Sequence, residues 1–202
     1  MNPITYLVDN IMLPFLNFSY TNFYPNYGVA IILLTLIVKV IFYPLTHKQF
    51  VAMKSMQKLQ PQIKELQAKH KKEPEKLQQE TMKLWKTHKV NPLSGCLPLL
   101  VQLPFLFALF YTMNSEAFKV LISQEGVNPG FFSFWLSNLG MPDKTLILPA
   151  IIALTTYWAQ KLTSTKEIAS NMMFMLMPVV IFVICIKLPS GVLLYWAASQ
   201  VI

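Results

Sequence analysis

Arginine is absent from this 202-residue chain; all 17 basic residues are lysine. Acids number nine, glycines six and cysteines two. With so few glycines, and no glycine-rich loop ahead of a Lys-Ser or Lys-Thr pair, a phosphate cradle is excluded. Cys96 and Cys185 both fall in apolar runs with no partners at metal-ligand spacing. That excludes a disulfide framework and a zinc site, and leaves both as small packing residues. His47, His70 and His88 crowd into one basic stretch and read as solvent-facing, and no serine has a His and Asp partner. Neither bond-making catalysis nor any cofactor is implied. The first fifteen residues hold no lysine and no clean apolar core, so no signal peptide is read there. Leu93-Ser94-Gly95-Cys96 matches a lipoprotein cleavage box in letters only, because its apolar stretch follows the cysteine.

What the chain does have is long apolar blocks. Hydrophobic residues make up 54% and charged residues 13%, which indicates an all-α integral membrane protein. Five spans can be drawn, at 27–45, 92–113, 145–162, 171–188 and 189–202, the last two separated by Leu188-Pro189-Ser190-Gly191. The final span is short of the roughly 20 residues a crossing takes. Eleven lysines stand between His47 and Val90 against four acids, a net charge of +7. The same concentration argues against nucleic acid as the purpose of the overall +8, since a basic loop between spans is first a positive-inside signal. Residues 47–90 are therefore expected in the cytoplasm, with the N-terminus outside and the C-terminus inside. The 114–144 loop, with two lysines and three acids, falls outside. Lys187 departs from the rule and is expected to snorkel to the outer interface.

Two peripheral elements accompany the spans. Residues 1–26 read as an interfacial segment, with Ile4, Leu7, Val8, Ile11 and Met12 at helical spacing in a helix too short to cross. Tyr20, Phe23, Tyr24 and Tyr27, with Phe131, Phe132, Phe134 and Trp135, are expected as an aromatic belt on that side. In the basic loop, Phe50, Met53, Met56, Leu59, Ile63 and Leu66 recur at three-and-four spacing, and Leu77, Thr81, Leu84 and Trp85 continue after Glu73-Pro74. That predicts an antiparallel helical hairpin, with Pro61 kinking or starting the first arm and Asn91-Pro92 ending the second.

The functional signal is Lys39, the one charge in the first span. A cation near a bilayer centre costs about 2.5–3.5 kcal/mol on insertion scales, so it is expected in a protein interior or a wet cavity. With the span ending at Leu45, Lys39 would lie about 9 Å from the inner interface, and snorkelling is the rival explanation. Thr35 and Tyr43 lie four residues to either side, on one helical stripe. Gln102 offers a polar partner in the second span, where Pro98 and Pro104 also free backbone carbonyls. Thr155, Thr156 and Gln160 in the third span and Ser199 and Gln200 in the fifth are expected to complete a hydrated groove. None of the predicted spans holds an Asp or Glu to neutralise Lys39. Met172, Met173, Met175 and Met177 in the fourth span read first as packing residues, and alternatively, with Trp196 in the fifth, as an adaptable apolar surface for varied hydrophobic segments.

Ile37-Val38-Lys39 followed by Tyr43-Pro44-Leu45-Thr46, the run from Val90 to Leu100 with Gln102 and Pro104, and Leu188-Pro189-Ser190-Gly191 through Tyr195 resemble the YidC/Oxa/Alb family of membrane protein insertases. The resemblance covers nearly the whole chain and suggests a short bacterial form without a large outer domain. It implies five helices around a hydrophilic groove open to the cytoplasm and closed outside, with Lys39 at a position where many members carry arginine. A lysine there loses its proton more readily. The implied function is a non-enzymatic insertase and chaperone of the bacterial inner membrane. Its partners would be nascent membrane proteins and lipid, with the Sec translocon, the signal recognition pathway and the ribosome as further candidates, and neither nucleotide nor DNA. Clients would leave past apolar faces of the third and fifth spans. Two alternatives stay open: a small transporter or channel, although no internal repeat relates the two halves, and a scaffold with a basic docking hairpin.

Overall fold

The computed structural model describes residues 3–70, 73–88, 97–124, 127, 130–131, 135–163 and 172–202. The described residues form helices and no named strand. These are α1 (Pro3–Leu7), a π-helical stretch (Val8–Met12), α2 (Leu13–Asn22), α3 (Tyr27–Lys69), α4 (Pro74–Thr87), α5 (Leu97–Asn114), α6 (Glu116–Ile122), α7 (Ile147–Thr163), α8 (Met172–Cys185) and α9 (Ser190–Val201). By length and composition α3 could cross a bilayer alone. Val101–Asn114 and Glu116–Ile122 qualify as a pair but bend by 61° at their break. The helices α7, α8 and α9 have 17, 14 and 12 residues.

The first departure from expectation is α3, which runs 43 residues through Pro44 and Pro61. No break separates the apolar span from the basic arm. Each proline removes one backbone donor, but the turns on either side remain hydrogen-bonded, and the Thr46 hydroxyl donates to the Phe42 carbonyl at 3.0 Å. Pro61 neither starts the arm nor ends the helix. Beyond His70, α4 lies against α3. Glu73 pairs with Lys76 at 2.9 Å beside the turn, and Leu59 is buried. Asn91-Pro92 and the Leu93 to Cys96 box lie outside the described residues.

Asn26 caps α3: its Oδ1 accepts from the Gly28 and Val29 amides at 2.8 and 3.1 Å, and its Nδ2 donates to the Phe131 carbonyl. Gly28 lies under the Phe131 ring so closely that a Cβ would come within 2.4 Å of it. Tyr27 is a correction. It is fully buried, stacked on Tyr20 at 4.5 Å and edge-on to Phe118, so it is core and not belt. Phe23 and Tyr24 stay exposed, Phe131 and Trp135 are half-buried against the core, and Phe132 and Phe134 lie outside the described residues. The N-terminal helical run reaches Asn22 and buries Val8, Met12 and Leu16 against the bundle, with α2 on α3 and the earlier turns on α5.

The centre of the bundle is α9, which packs on α3, α5 and α7 and buries Val192, Leu193, Leu194, Tyr195 and Ala197. This corrects the expectation that the fifth span offers an apolar outer face. Large exposed apolar residues sit instead on α3 (Val40, Ile41), α7 (Leu154, Trp158) and α8 (Val179, Val180, Val183, Ile184). Hydropathy alone does not distinguish the two cases, because lipid tails and a helical core are equally apolar.

The start of α9 is clasped by the loop before α7. Ser190 and Gly191 amides donate to the Met141 and Leu139 carbonyls at 2.7 and 2.9 Å, and the Ser190 hydroxyl donates to the Asn138 carbonyl. A Cβ on Gly191 would stand 2.7 Å from Met113 Sδ and 3.2 Å from the Leu139 carbonyl oxygen, so a larger residue would displace Met113 where α9 starts beside α5. The loop is fixed by Asp143, which accepts from the Thr145 amide and hydroxyl at 2.9 and 2.6 Å and from the Leu148 amide at 2.8 Å. Between them Leu146 is held at a φ of 60°, a strained conformation for a non-glycine residue.

Burial by itself would raise the Asp143 carboxyl, but the hydrogen bonds from Thr145 and Leu148 outweigh it and hold it below its ordinary value. A depressed carboxylate stabilises the fold above its unfolded pKa of about 4, and that contribution is lost as pH falls toward the native value. Asp143→Ala is expected to cost about 2 kcal/mol near neutral pH, by analogy with the loss of a helix cap. Thermal unfolding of the detergent-solubilised protein checks this: the gap between parent and variant should be full at pH 7 and shrink below about pH 4. A gap that is constant with pH would contradict the assignment.

Candidate functional site

Lys39 lines a cavity of about 70 Å³ between α3 and α5, with Val38, Phe42, Thr46 and Gln49 from α3 and Val101, Gln102 and Phe105 from α5. Phe42 and Phe105 meet edge-to-face at 5.3 Å and form its apolar wall. The volume suits several water molecules. No carboxylate among the described residues pairs with Lys39, whose side chain is half-buried. Gln49 Nε2 and Gln102 Nε2 are buried with no hydrogen-bond partner among the described residues. Gln102 also comes near the hydroxyl of the buried Tyr195 on α9.

Helical geometry explains which expected residues join the pocket. Successive steps of four advance a side chain by about 400°, so a four-and-four stripe drifts about 40° per step. Alternating steps of three and four hold one face. Lys39, Phe42, Thr46 and Gln49 follow the alternating pattern, whereas Thr35, Lys39 and Tyr43 follow the drifting one. Accordingly Tyr43 stands outside the pocket, 67% exposed and stacked on His47. Thr35 is fully buried above it and donates to the Ile31 carbonyl at 2.7 Å.

The other polar candidates form a separate seam between α7 and α9. The Thr155 hydroxyl donates to Gln200 Oε1, and Gln200 Nε2 donates to the Thr156 hydroxyl at 3.1 Å. Ser199 is buried and donates to the Trp196 carbonyl at 2.8 Å, while Gln160 is half-buried on α7. Trp196 packs half-buried against the core. Met177 is exposed on α8, and the side chains of Met172, Met173 and Met175 lie outside the described residues. The structure thus joins Lys39 to Gln102 and joins Gln200 to the α7 threonines. It does not bring the two groups into one described cavity.

In the sequence Thr46 and Tyr195 stand out only within the motifs of the family resemblance and not as groove residues, and Gln49 does not stand out at all. The apolar run reads as ending at Leu45, which puts residue 49 in the hairpin and hides Gln49. The signal that could have found it is its spacing of ten from Lys39, three alternating steps along the same face.

Comparison with known proteins decides the family. The model of the family described as 60Kd inner membrane protein matches residues 18–202. The chain belongs to the YidC/Oxa/Alb family. A membrane protein insertase YidC of Geobacter sulfurreducens is 41% identical over 182 residues, covering 90% of this chain and 33% of that protein. The chain spans about a third of the length of several such relatives. A YidC of Fusobacterium nucleatum is 39% identical over 200 residues and matches along 92% of its own length. A crystal structure of an active YidC insertase with its first transmembrane domain resolved superposes with a TM-score of 0.76 at 30% identity, over all of this chain and 45% of that one. These relatives carry the name inner membrane protein or YidC insertase, consistent with the apolar character of α3.

An ammonium group among Val38, Phe42, Val101 and Phe105, with no carboxylate paired to it among the described residues, is a net cost to folding. Replacing Lys39 by Met, similar in volume and flexible, should raise the thermal midpoint in detergent by a few degrees, equivalent to about 1–2 kcal/mol. A lower midpoint would show that Lys39 is structural.

Proposed function

We propose that this protein is a membrane protein insertase and chaperone that works without nucleotide or cofactor, and that the Lys39 pocket is where it lowers the cost of moving a polar client flank into the bilayer. The observation that carries this is that Lys39, Gln49 and Gln102 line one cavity on an apolar helix pair, where the Gln49 and Gln102 amide nitrogens have no hydrogen-bond partner among the described residues. Their unsatisfied donors give an entering polar segment hydrogen-bonding partners at a depth where it otherwise has none. Relatives named YidC insertase support the reading.

In this proposal α3, α5, α7, α8 and α9 all cross the membrane, α3 from the outside inward, and the basic α3–α4 hairpin projects into the cytoplasm of a bacterium as the first meeting point for clients. The clasp between residues 138–143 and 189–191 then lies outside and closes the bundle there, while the pocket opens inward and to lipid. A nascent hydrophobic segment enters with its short flank in the Lys39 pocket. The exposed faces of α3, α7 and α8 guide its helix into lipid, with Met177 among the adaptable contacts. Burial of that helix drives the step, at about 25 cal/mol per Å² of apolar surface. A potential positive outside adds about 2.3 kcal/mol per negative charge per 100 mV for acidic flanks.

The test is insertion of a single-span client into proteoliposomes containing the full chain. Lys39→Ala should cut insertion by about tenfold, an effect of about 1.4 kcal/mol, and Lys39→Arg should retain it. Equal insertion by all three proteins would overturn the proposal. So would specific solute flux without client insertion.

A further inference from the structure

A second cavity, of about 80 Å³, lies where the loop before α7 meets the start of α9, away from the Lys39 pocket. Trp135, Ser137, Asn138, Met141 and Lys144 line it, and Asp143 and Ser190 of the clasp line it too. Its rim is exposed at Ser137, Met141, Pro142 and Lys144. The Trp135 indole donates to the Thr145 hydroxyl at 2.8 Å, which fixes the ring as a wall. Asp143 is 4% exposed and its oxygens accept from Thr145 and Leu148, so its charge is committed to its own loop.

Two lysines flank this junction. Pro142 and Pro189 pair in an isolated antiparallel bridge; Lys144 follows the first by two residues and Lys187 precedes the second by two. Both are exposed, and neither has an ion pair among the described residues, whereas Lys119 is paired with Glu116 at 2.8 Å. In the proposed orientation they stand at the outer interface, where the positive-inside rule leaves few lysines. The neutral groups beside Lys144 also have capacity to spare. Ser137 makes no side-chain hydrogen bond among the described residues, and Asn138 uses only its Oδ1, which accepts from the Gly140 amide at 2.8 Å. Exposed Leu146 and Ile147 lead into α7 next to the cavity.

We propose that this cavity binds the headgroup of an anionic phospholipid of the outer leaflet, its phosphate held by Lys144 and Lys187. A lysine ammonium is a point charge suited to phosphate oxygens. An indole is at home at headgroup depth, and exposed Leu146 and Ile147 give the acyl chains an apolar border that a soluble phosphate would not use. A zwitterionic headgroup brings its own ammonium to compete for the phosphate. Phosphatidylglycerol brings hydroxyls instead, which Ser137 and Asn138 can bond. The proposal rests on the placement of the bundle across the membrane and not on client insertion. A lipid held there bridges the loop that Asp143 organises and the junction before α9, so it stabilises the clasp.

The full chain, with a photoreactive residue in place of the exposed Met141, is placed in nanodiscs of phosphatidylcholine containing one-third phosphatidylglycerol, and the crosslinked lipid is identified by mass. Phosphatidylglycerol is expected several-fold above its share of the bilayer. Lys144→Gln combined with Lys187→Gln should return it to that share, while Lys58→Gln in the basic hairpin should leave the enrichment unchanged. In phosphatidylcholine alone the double variant should unfold at the parent's midpoint, which shows that it folds; added phosphatidylglycerol should raise the parent's midpoint by more. Crosslinking at the statistical share in the parent, or an enrichment that survives loss of both lysines, overturns the proposal. Lipid crosslinks abolished by excess glycerol phosphate assign the cavity to a soluble phosphate and overturn the lipid claim. A Lys39→Ala variant that inserts clients normally while the enrichment persists removes the insertase reading and leaves this site standing; insertion that depends on Lys39 with no enrichment at position 141 does the reverse.

Discussion

The structure depends on where an ammonium group can be solvated. Lys39 is held on an apolar helix with no carboxylate beside it among the described residues, and the residues around it divide into apolar walls and polar nitrogens. Coulomb attraction to a fixed partner would have locked the site. A cavity lined by amides leaves the charge available to something that arrives, and the continuity of α3 keeps that cavity in register with the basic arm beyond it. One helix thus couples three environments: an apolar exposed face, a polar cavity face and a lysine-rich end.

Rigidity is concentrated elsewhere. The central helix α9 is buried along most of its length, and its start is tied down by backbone hydrogen bonds from the loop that Asp143 organises. Gly191 permits that approach and Asn26 fixes the neighbouring start of α3. The arrangement gives one end of the bundle a dense set of hydrogen bonds, while the polar cavity lies further along α3. In the proposed insertase role such asymmetry is useful, since a passage polar at both ends would conduct ions.

Much of this was legible in the sequence, and the misses have physical causes. Long apolar blocks become helices because only a helix satisfies a segment's backbone in lipid from within that segment, and Lys39 and Gln102 announce themselves as polar residues within such blocks. The position of Gln49 was hidden because Pro44 and Leu45 read as a span end, whereas α3 continues through both. Tyr43 was misplaced by a spacing of four, which drifts around the helix. Tyr27 looked like an interfacial anchor because aromatic residues at span ends usually are, and only packing on Tyr20 and Phe118 makes it core. Nothing in its composition distinguished α9 as the central helix. Its burial follows from which neighbours surround it.

The central claim is that the space between α3 and α5 is wet and reached from one side. It is tested most directly by labelling single cysteines at positions 102 and 41, in a protein whose Cys96 and Cys185 are replaced by alanine, with a charged membrane-impermeant thiol reagent. The account predicts that Gln102→Cys reacts in inside-out vesicles and not in right-side-out ones, while Ile41→Cys, on the exposed apolar face of α3, reacts in neither. Equal inertness at both positions, or reaction of Gln102→Cys only from the opposite side, would contradict it.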